Sequence, residues 1–558
     1  MDGNGHEKSN YGFASDRIFS ILKRRLRMTP KMKRTPRIVL CTIAILISLL
    51  ATSCGGKGQA LLTVPEGARA GDLVGMEPCT YNANKVDYQS DCGTLVVPEN
   101  RSNPDSRLIA LPVIRVHALE DAPAEPIFWF AGGPGSTNMS FSHLEGLVDR
   151  HDFVMVGYHG MDGSVVLECP EMASAAKGVN ENLLSEESLT SFGDAMTECA
   201  ERLDEEKVDL VGYSIPEIVE DMEAARTALG YERVNLLSGS YGTRVAMIYA
   251  WMYPESLHRS AMISVNPPGH FVWEPDTIDA LIAYDAELCA QDPGCSDRTG
   301  DLAETMWDVS HNMPERWLLI PIDPGKVRFI THFMLFHRGT AASVFDAYLA
   351  AAEGDPSGFA LMSLAYDFMI PSALTWGDWA AKGGIDYDLR RDWLTEMDPP
   401  DSALGAPTSL FVGGATQLSG GWPVAPMPDE FREVQPTDVE TLLVSGSMDY
   451  STPAQFATEE LLPKLTNGQQ VTLSEYGHVS DVWSLQPEAT VHLLTTFYDT
   501  GEVDDSLFVY QPMNYDVGMM SFPLLAKVLV GLVILVPLLL IVGVWLIVRR
   551  VRRRRSAT

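Results

Sequence analysis

Positive charge is scarce in this sequence, and this scarcity excludes one large class of partners. The 558 residues carry 41 Lys and Arg against 74 Asp and Glu, a net charge of −33. The imbalance is concentrated in residues 55–520, which hold 24 basic and 71 acidic residues. A surface of this sign does not bind nucleic acid by charge. Such a surface either attracts cationic ligands or keeps the protein soluble at high salt, and the sequence does not decide between these two interpretations.

The motifs that bind nucleotides and metals are also missing. No GxxxxGK[ST] pattern occurs, and no GxGxxG opens a predicted helix. Cysteines are few, and no pair of them has zinc-ligand spacing with partner ligands. We therefore predict no cofactor and no metal site.

The N-terminal segment 1–54 has the pattern of an export signal. Four basic residues between 31 and 37 precede the apolar run 38–50, and small residues then lead to Cys54. The order resembles a bacterial lipoprotein signal, in which Cys54 would be lipidated and become the new N-terminus. An uncleaved signal anchor is the alternative.

The C-terminal segment predicts a transmembrane helix. Residues 528–548 contain no charge, and 21 helical residues span a hydrocarbon core of about 30 Å. Six arginines follow between 549 and 555, so the positive-inside rule places that tail in the cytoplasm. Both ends therefore predict a bacterial membrane protein whose residues 55–520 are extracytoplasmic and whose lipid contacts are the helix and, in the lipoprotein interpretation, Cys54.

The remaining cysteines agree with export. Apart from Cys41 and Cys54 there are six, and an even number in an exported domain indicates disulfides. Six cysteines allow fifteen pairings. We favour nearest-neighbour pairing because it closes short loops, which gives the pairs 79–92, 169–199 and 289–295.

The order of elements predicts an α/β fold with an insertion. Strands alternate with helices up to residue 269, which is typical of a mainly parallel sheet with helices on both faces. Residues 270–406 are helical and rich in Trp, Met and Phe, so we interpret them as an inserted cap. The predicted division is signal 1–54, tether 55–75, core 76–269, cap 270–406, core 407–500, spacer 501–524, transmembrane helix 525–548 and basic tail 549–558.

The segment 234–253 predicts a strand, a sharp turn and a helix. Its centre, Ser238-Gly239-Ser240-Tyr241-Gly242, surrounds Ser240 with small residues, as a tight turn that presents a serine hydroxyl requires. Ser238 stands where glycine is usual, but it is still small. We interpret this turn as a nucleophile elbow, and an ordinary Gly/Ser turn is the alternative.

Two further residues follow predicted strands in the order that a serine hydrolase needs. Asp449 comes after the strand 441–445, and His478 after the strand 470–474. A serine hydroxyl needs a histidine to take its proton, and the histidine needs a carboxylate to fix its tautomer. Parallel sheets bring such strand ends together. His492 is an alternative base, but it lies in the middle of a predicted helix.

These pieces resemble the α/β hydrolases of the prolyl iminopeptidase and tripeptidyl aminopeptidase type. The resemblance covers about 90–270 and 420–500, and it rests on FWFAGGPG, the run from DMEAARTALG to the elbow helix, SGSMDYSTP and EYGHVSD. It implies an α/β-hydrolase fold with Ser240 as nucleophile, His478 as general base and Asp449 as its partner. It also implies an oxyanion hole formed by the backbone N–H groups of Tyr241 and Gly133.

Two departures from the family pattern put the substrate preference in doubt. The HGGPG motif begins here with Ala131, and the DQRGxG loop appears as residues 157–162 without its aspartate and arginine. The expected activity is that of a serine exopeptidase that removes residues from peptide N-termini. An esterase or lipase acting on small or membrane-derived acyl esters is the alternative, and a catalytically inactive binding protein is a third.

An exopeptidase of this type would need carboxylates near the cap to hold the substrate ammonium. Candidates by position are Glu274, Asp276, Asp279, Asp285 and Glu287.

Overall fold

The computed structural model describes residues 61–177, 182–423 and 427–556. The predicted export signal, with Cys54, lies outside these ranges. Within them nine strands form the main sheet, in the order β1-β2-β3-β5-β4-β6-β7-β10-β11, and β8 and β9 form a small hairpin. The strands are β1 (Leu73–Ala83), β2 (Val86–Pro98), β3 (Leu108–Val116), β4 (Ala124–Phe130), β5 (His151–Val156), β6 (Val234–Gly239), β7 (Leu257–Ile263), β8 (Arg316–Trp317), β9 (Ile320–Pro321), β10 (Glu440–Gly446) and β11 (Gly468–Leu473).

The sheet is mainly parallel, as predicted. Strands β5, β4, β6, β7, β10 and β11 pair in parallel, whereas β1, β2 and β3 form an antiparallel extension at one side. Every residue of β6 is buried, because a central parallel strand is covered on both faces. The continuous apolar run before Ser240 therefore marks the centre of the sheet.

Much of the rest of the described chain is α-helical. They are α1 (Pro170–Lys177), α2 (Glu186–Glu205), α3 (Ile215–Leu229), α4 (Tyr241–Met252), α5 (Pro275–Gln291), α6 (Pro293–Ser296), α7 (Leu302–His311), α8 (Pro324–Leu335), α9 (Arg338–Ala352), α10 (Ser357–Met369), α11 (Trp376–Gly383), α12 (Trp393–Glu396), α13 (Pro407–Ser409), α14 (Ala415–Ser419), α15 (Ala454–Phe456), α16 (Val479–Leu485), α17 (Pro487–Thr500) and α18 (Phe522–Arg555).

Two hydrophobic clusters divide these elements. The first joins the sheet with α3, α4, α16 and α17. The second joins α5 to α14 with α1 and α2, which precede the nucleophile strand in sequence. The helical cap of the structure is therefore assembled from two separated parts of the chain, and α2 packs beside α14 within it.

The disulfide prediction is confirmed in its connectivity. The pairs are Cys79–Cys92, Cys169–Cys199 and Cys289–Cys295. The first joins β1 to β2, and the second joins α2 to the chain just before α1. Each closes a loop of 30 residues or fewer.

The C-terminal helix α18 is long and apolar enough to cross a membrane over Phe522–Arg550. Among the described residues, the contacts of α18 with the body of the protein lie in its first turns, where Pro523 and Ala526 are buried. Most of the Val, Leu and Ile side chains farther along are exposed. An apolar helical stretch with exposed side chains suits a hydrocarbon environment.

Candidate active site

Ser240 lies in the sharp turn between β6 and α4. Its backbone φ is 53°, in the left-handed region that costs a serine about 1–3 kcal/mol. Its N–H donates to the carbonyl of Ile263 at 2.9 Å, which fixes the turn to β7. A Cβ on Gly132 would lie 2.8 Å from Cβ of Ser240, and one on Gly242 would lie 2.2 Å from the oxygen of Phe130. The close approach therefore needs glycine both in the turn, at Gly242, and in the facing loop after β4, at Gly132.

Asp449 and His478 form a hydrogen-bonded pair at the ends of β10 and β11. The two carboxylate oxygens lie 3.0 and 2.9 Å from Nδ1 of His478. The backbone N–H groups of Ser451 and Thr452 donate to the same carboxylate at 2.9 Å, and so does the Thr452 hydroxyl. Burial alone would raise the pKa of Asp449, but the charge and hydrogen bond of His478 and the Thr452 N–H outweigh it and hold that pKa below its usual value. The carboxylate is thus kept ionised, and it directs Nδ1–H of His478 toward itself.

His478 is positioned by the cap as well as by Asp449. Its backbone N–H donates to the carbonyl of Phe336, at the end of α8, at 2.7 Å. Asp481, one turn further on, accepts from the N–H groups of Gly477 and Arg338 at 2.9 Å. With Nδ1 bonded to Asp449, Nε2 is the nitrogen left to accept a proton.

Ser240 and His478 line one cavity of about 330 Å³. No hydrogen bond joins Ser240 Oγ to His478, and such bonds are often long before substrate binds. The described lining is mostly aromatic and aliphatic and includes no carboxylate; besides Ser240 and His478 it consists of Trp129, Gly132, Gly133, Pro134, Tyr241, Asn266, Phe271, Trp273, Phe333, Phe336, Leu374, Trp379, Gly383, Tyr387, Ser451 and Val479. A second cavity of about 630 Å³ shares Trp379 and Tyr387 with it and therefore lies beside it.

The two residues predicted for an oxyanion hole both line this cavity. Tyr241 is the first residue of α4, where backbone N–H groups have no acceptor within the helix. Gly133 has a φ of 73°, which glycine adopts without strain. The loop is anchored on both sides of Gly133, because the N–H of Ala131 donates to Asn138 Oδ1 at 2.8 Å and that of Gly135 to Asp378 Oδ2 at 2.9 Å.

Other charged residues, which no local sequence pattern marks, replace the aspartate and arginine missing from the loop 157–162. Asp162 accepts from the N–H groups of Tyr158 and Asn138 at 2.9 and 3.0 Å, and it ties this loop to the glycine loop. Lys382 and Asp378, both on α11, form a buried ion pair, and the Lys382 ammonium also donates to the carbonyl of His159. The cap helix α11 therefore holds both loops: Asp378 accepts from the glycine loop, and Lys382 donates to the loop 157–162.

The five acidic candidates for binding a substrate ammonium are not among the residues that line the catalytic cavity. Glu274 is paired with Arg391 at 2.6 and 3.0 Å, and Asp279 accepts from the N–H of Ala403 at 3.1 Å. Asp285 is fully buried and accepts from the Tyr450 hydroxyl at 2.6 Å. The structure gives these three carboxylates partners other than a substrate.

One group of described side chains has metal-ligand types in close proximity, namely Cys169, Glu171 and Cys199. Its two sulfurs are joined in a disulfide and are therefore not available as thiolate ligands. The alternative base His492 bonds to Asp504 at 3.0 Å and does not line the catalytic cavity.

Sequence comparisons agree with this architecture. Residues 125–288 match a family model described as alpha/beta hydrolase fold, and residues 413–507 match one described as TAP-like protein. The first segment contains Ser240, and the second contains Asp449 and His478. The predicted fold and family resemblance are thus confirmed.

The relatives are distant and only partly covered. A tripeptidyl aminopeptidase of Streptomyces lividans is 23% identical over 46% of this chain and 50% of its own length. The serine protease Hip1 of Mycobacterium tuberculosis is 25% identical over 49% of this chain and 55% of its own length. The chain thus spans about half the length of the curated relatives it matches. A solved serine hydrolase from Cycloclasticus zankles has 12% identity over 74% of this chain and 100% of its own, with a TM-score of 0.35.

Proposed function

We propose that this chain, an α/β hydrolase related to tripeptidyl aminopeptidase and Hip1, is a membrane-anchored extracytoplasmic serine hydrolase, and that it releases residues from peptide N-termini. The observation that carries the proposal is the arrangement of one cavity. The strained turn presents Ser240 to it, and the buried carboxylate of Asp449 orients His478 on its wall. These are the parts of a nucleophile activated by a base.

The chemistry follows from this arrangement. Nε2 of His478 takes the hydroxyl proton of Ser240 while Oγ bonds to the scissile carbonyl carbon. The N–H groups of Gly133 and Tyr241 stabilise the oxyanion, a contribution of about 3–4 kcal/mol per donor. His478 then gives the proton to the leaving amine as the C–N bond breaks, and an acyl-enzyme remains on Ser240. Water, deprotonated by His478, hydrolyses this ester and restores the serine.

The aromatic cavity also limits which peptides fit. No carboxylate lies in its described lining, so a substrate ammonium would rest on aromatic faces such as those of Trp273 and Trp379. The same lining favours an apolar residue on the acyl side of the bond, since burying apolar surface contributes about 25 cal/mol per Å². We therefore expect the best peptide substrates to carry apolar side chains next to the scissile bond.

A carboxylesterase is the second candidate, and the cavity is the observation that favours it. An apolar acyl chain needs no charged partner, and the triad serves amides and esters alike. The second cavity under the cap offers further space for such a chain.

A substrate panel separates the two candidates. The purified full chain is tested on aminoacyl and tripeptidyl chromogenic amides and on acyl esters of increasing length, with Ser240→Ala as the matched control. Amide cleavage that is lost in the control supports the exopeptidase. Fast ester cleavage without amide cleavage supports the esterase, and no turnover by either would leave a non-catalytic binding protein.

The anchoring part of the proposal rests on α18 and its charge pattern. The helix is long and apolar enough to span, and its six terminal arginines suit the cytoplasmic side. Protease protection of the tail in oriented vesicles, with the catalytic domain left accessible, tests this topology.

A further inference from the structure

Five large apolar side chains are exposed on one part of the cap. Leu318 and Leu319 form the tip of the β8–β9 hairpin, and Leu319 is 95% exposed. Leu364, Phe368 and Met369 lie on α10, and Phe368 is 83% exposed. We call these five residues the apolar edge. Exposed apolar groups gathered in this way mark a surface that contacts a partner or a membrane.

The hairpin and α10 form one structural unit. The N–H of Asp323, just after the hairpin, donates to Ser363 Oγ at 2.8 Å, and the Ser363 hydroxyl lies 3.4 Å from the carbonyl of Asp323. Lys326 forms an ion pair with Asp367 at 2.6 Å. These bonds hold the start of α8 on α10, and both strands of the hairpin that precedes it also contact α10.

The same helix packs against the beginning of α18. The Ser357 hydroxyl lies 3.4 Å from the carbonyl of Pro523, and a Cβ on Gly358 would lie 3.1 Å from the Pro523 ring. Lys527 forms an ion pair with Asp355, which precedes α10. Because α10 has 13 residues and a helix rises about 1.5 Å per residue, its whole length lies within about 20 Å of this contact.

Of the two apolar helices in this part of the cap, only α10 offers exposed apolar side chains to lipid. Ser357–Ser372, which contains α10, and Trp376–Gly383 are together apolar enough to cross a membrane, but they are bent by 87° relative to each other. The second helix of this pair is α11, and its Trp376, Asp378 and Lys382 are buried in the protein. Contact with a leaflet through the exposed side of α10 therefore fits better than a full crossing.

We propose that the apolar edge lies in the outer leaflet of the bilayer that holds α18. This inference rests on the proposed membrane anchoring, because α18 brings the bilayer to α10. The edge would then be the second contact of the catalytic domain with the membrane, and it would fix the orientation of the cap. Leu374, five residues after Met369, lines the catalytic cavity. One wall of that cavity would thus be carried by the segment that touches lipid.

Fluorescence quenching by lipid tests this placement. Leu319→Cys and Phe368→Cys are labelled with an environment-sensitive dye in the full chain and reconstituted into phosphatidylcholine vesicles with and without brominated acyl chains. Val86→Cys, an exposed apolar position on the β1–β2 hairpin, is the matched control. Leu535→Cys in α18 is the membrane reference, and the labelled parent chain corrects for Cys41 and Cys54.

We expect brominated lipid to remove about half or more of the fluorescence at 319 and 368, because apolar groups of interfacial segments sit about 5–10 Å into the headgroup and acyl boundary. Position 86 should keep its signal. Quenching at 535 without quenching at 319 and 368 would overturn this inference and leave the anchor intact. No quenching at 535 would overturn the anchor and this inference with it. A blue-shifted but unquenched signal at 319 and 368 would also overturn it, in favour of a protein partner or a second copy.

Discussion

Replacing Gly132 with alanine should impair the nucleophile while leaving the fold stable. A Cβ at this position would lie 2.8 Å from Cβ of Ser240 and 3.1 Å from the oxygen of Gly239. Carbon atoms in contact prefer about 3.5–4.0 Å, so the loop and the turn must separate by about 1 Å. The new methyl group is too small to disrupt the core, but it contacts the nucleophile Ser240 directly.

The displacement has to appear at the active site because the surroundings are fixed. The N–H of Ser240 is bonded to Ile263, and Gly242 packs directly on the carbonyl of Phe130. A misplacement of about 1 Å at a reacting group costs about 100-fold in rate. This corresponds to about 2.7 kcal/mol of transition-state stabilisation. We therefore expect kcat/KM of Gly132→Ala to fall about 100-fold.

The assay is the kcat/KM for a chromogenic ester, measured beside the Tm. The control is Gly383→Ala, because Gly383 lines the same cavity but its new Cβ would meet the Pro134 ring at an ordinary 3.4 Å. This variant should keep its activity. If Gly132→Ala stays within about threefold of the parent in kcat/KM, less than 1 kcal/mol in the barrier, then the loop does not press on the nucleophile and the reasoning is refuted.

Three further outcomes follow from the described contacts. Asp449→Asn should lower kcat by about 10³–10⁴ in a chain that still folds, because the amide no longer fixes the tautomer of His478; near-normal turnover would remove Asp449 from the triad. Burial raises the pKa of Asp285 to about 7, although hydrogen bonds from Tyr450 and Tyr515 lower it. The folded protein therefore keeps a proton between about pH 4 and 7 that the unfolded chain has already lost. Stability should therefore fall as pH rises from about 4 to 7, and Asp285→Asn should flatten that part of a Tm–pH profile. The double variant Cys169→Ser, Cys199→Ser should lose about 3–4 kcal/mol in chemical unfolding, as expected for a 30-residue loop; a loss under 1 kcal/mol would show that packing of α2 suffices without the bond.

The elements that could be predicted from the sequence are those with a local physical signal. The strand β6 is an apolar run because it is buried on both faces, and the small residues around Ser240 reflect close backbone contacts. Asp449 and His478 could be placed because each lies in the loop that follows a strand. The disulfides could be paired because short loops bring their ends together at low entropic cost.

The elements that could not be predicted depend on contacts distant in sequence. β1 begins at Leu73, inside the segment 55–75 suggested as a tether, and its Gly75 and Pro78 weaken any strand pattern. It is a strand because it pairs with β2 and shares the Cys79–Cys92 bond. The helix α2 likewise joins the cap through contacts with segments more than 200 residues away, which its own periodicity does not reveal.

Charge positions were the least predictable part of the site. Position along the chain suggested Glu274 as an ammonium ligand, but its carboxylate pairs with Arg391, more than 100 residues away. Asp378 and Lys382 form an i,i+4 pair that is usually a solvated surface feature. Here both side chains are buried, because α11 packs against the loop 157–162.

The most direct test of Ser240 as the nucleophile is to identify the residue that a serine-directed reagent modifies. The full chain is treated with a fluorophosphonate, digested, and its peptides mapped by mass spectrometry. We expect one adduct on Ser240, which is lost in Ser240→Ala and forms much more slowly in a His478→Ala variant that remains folded. An unlabelled Ser240 in the folded protein, or an adduct at another serine that persists in Ser240→Ala, would contradict this expectation.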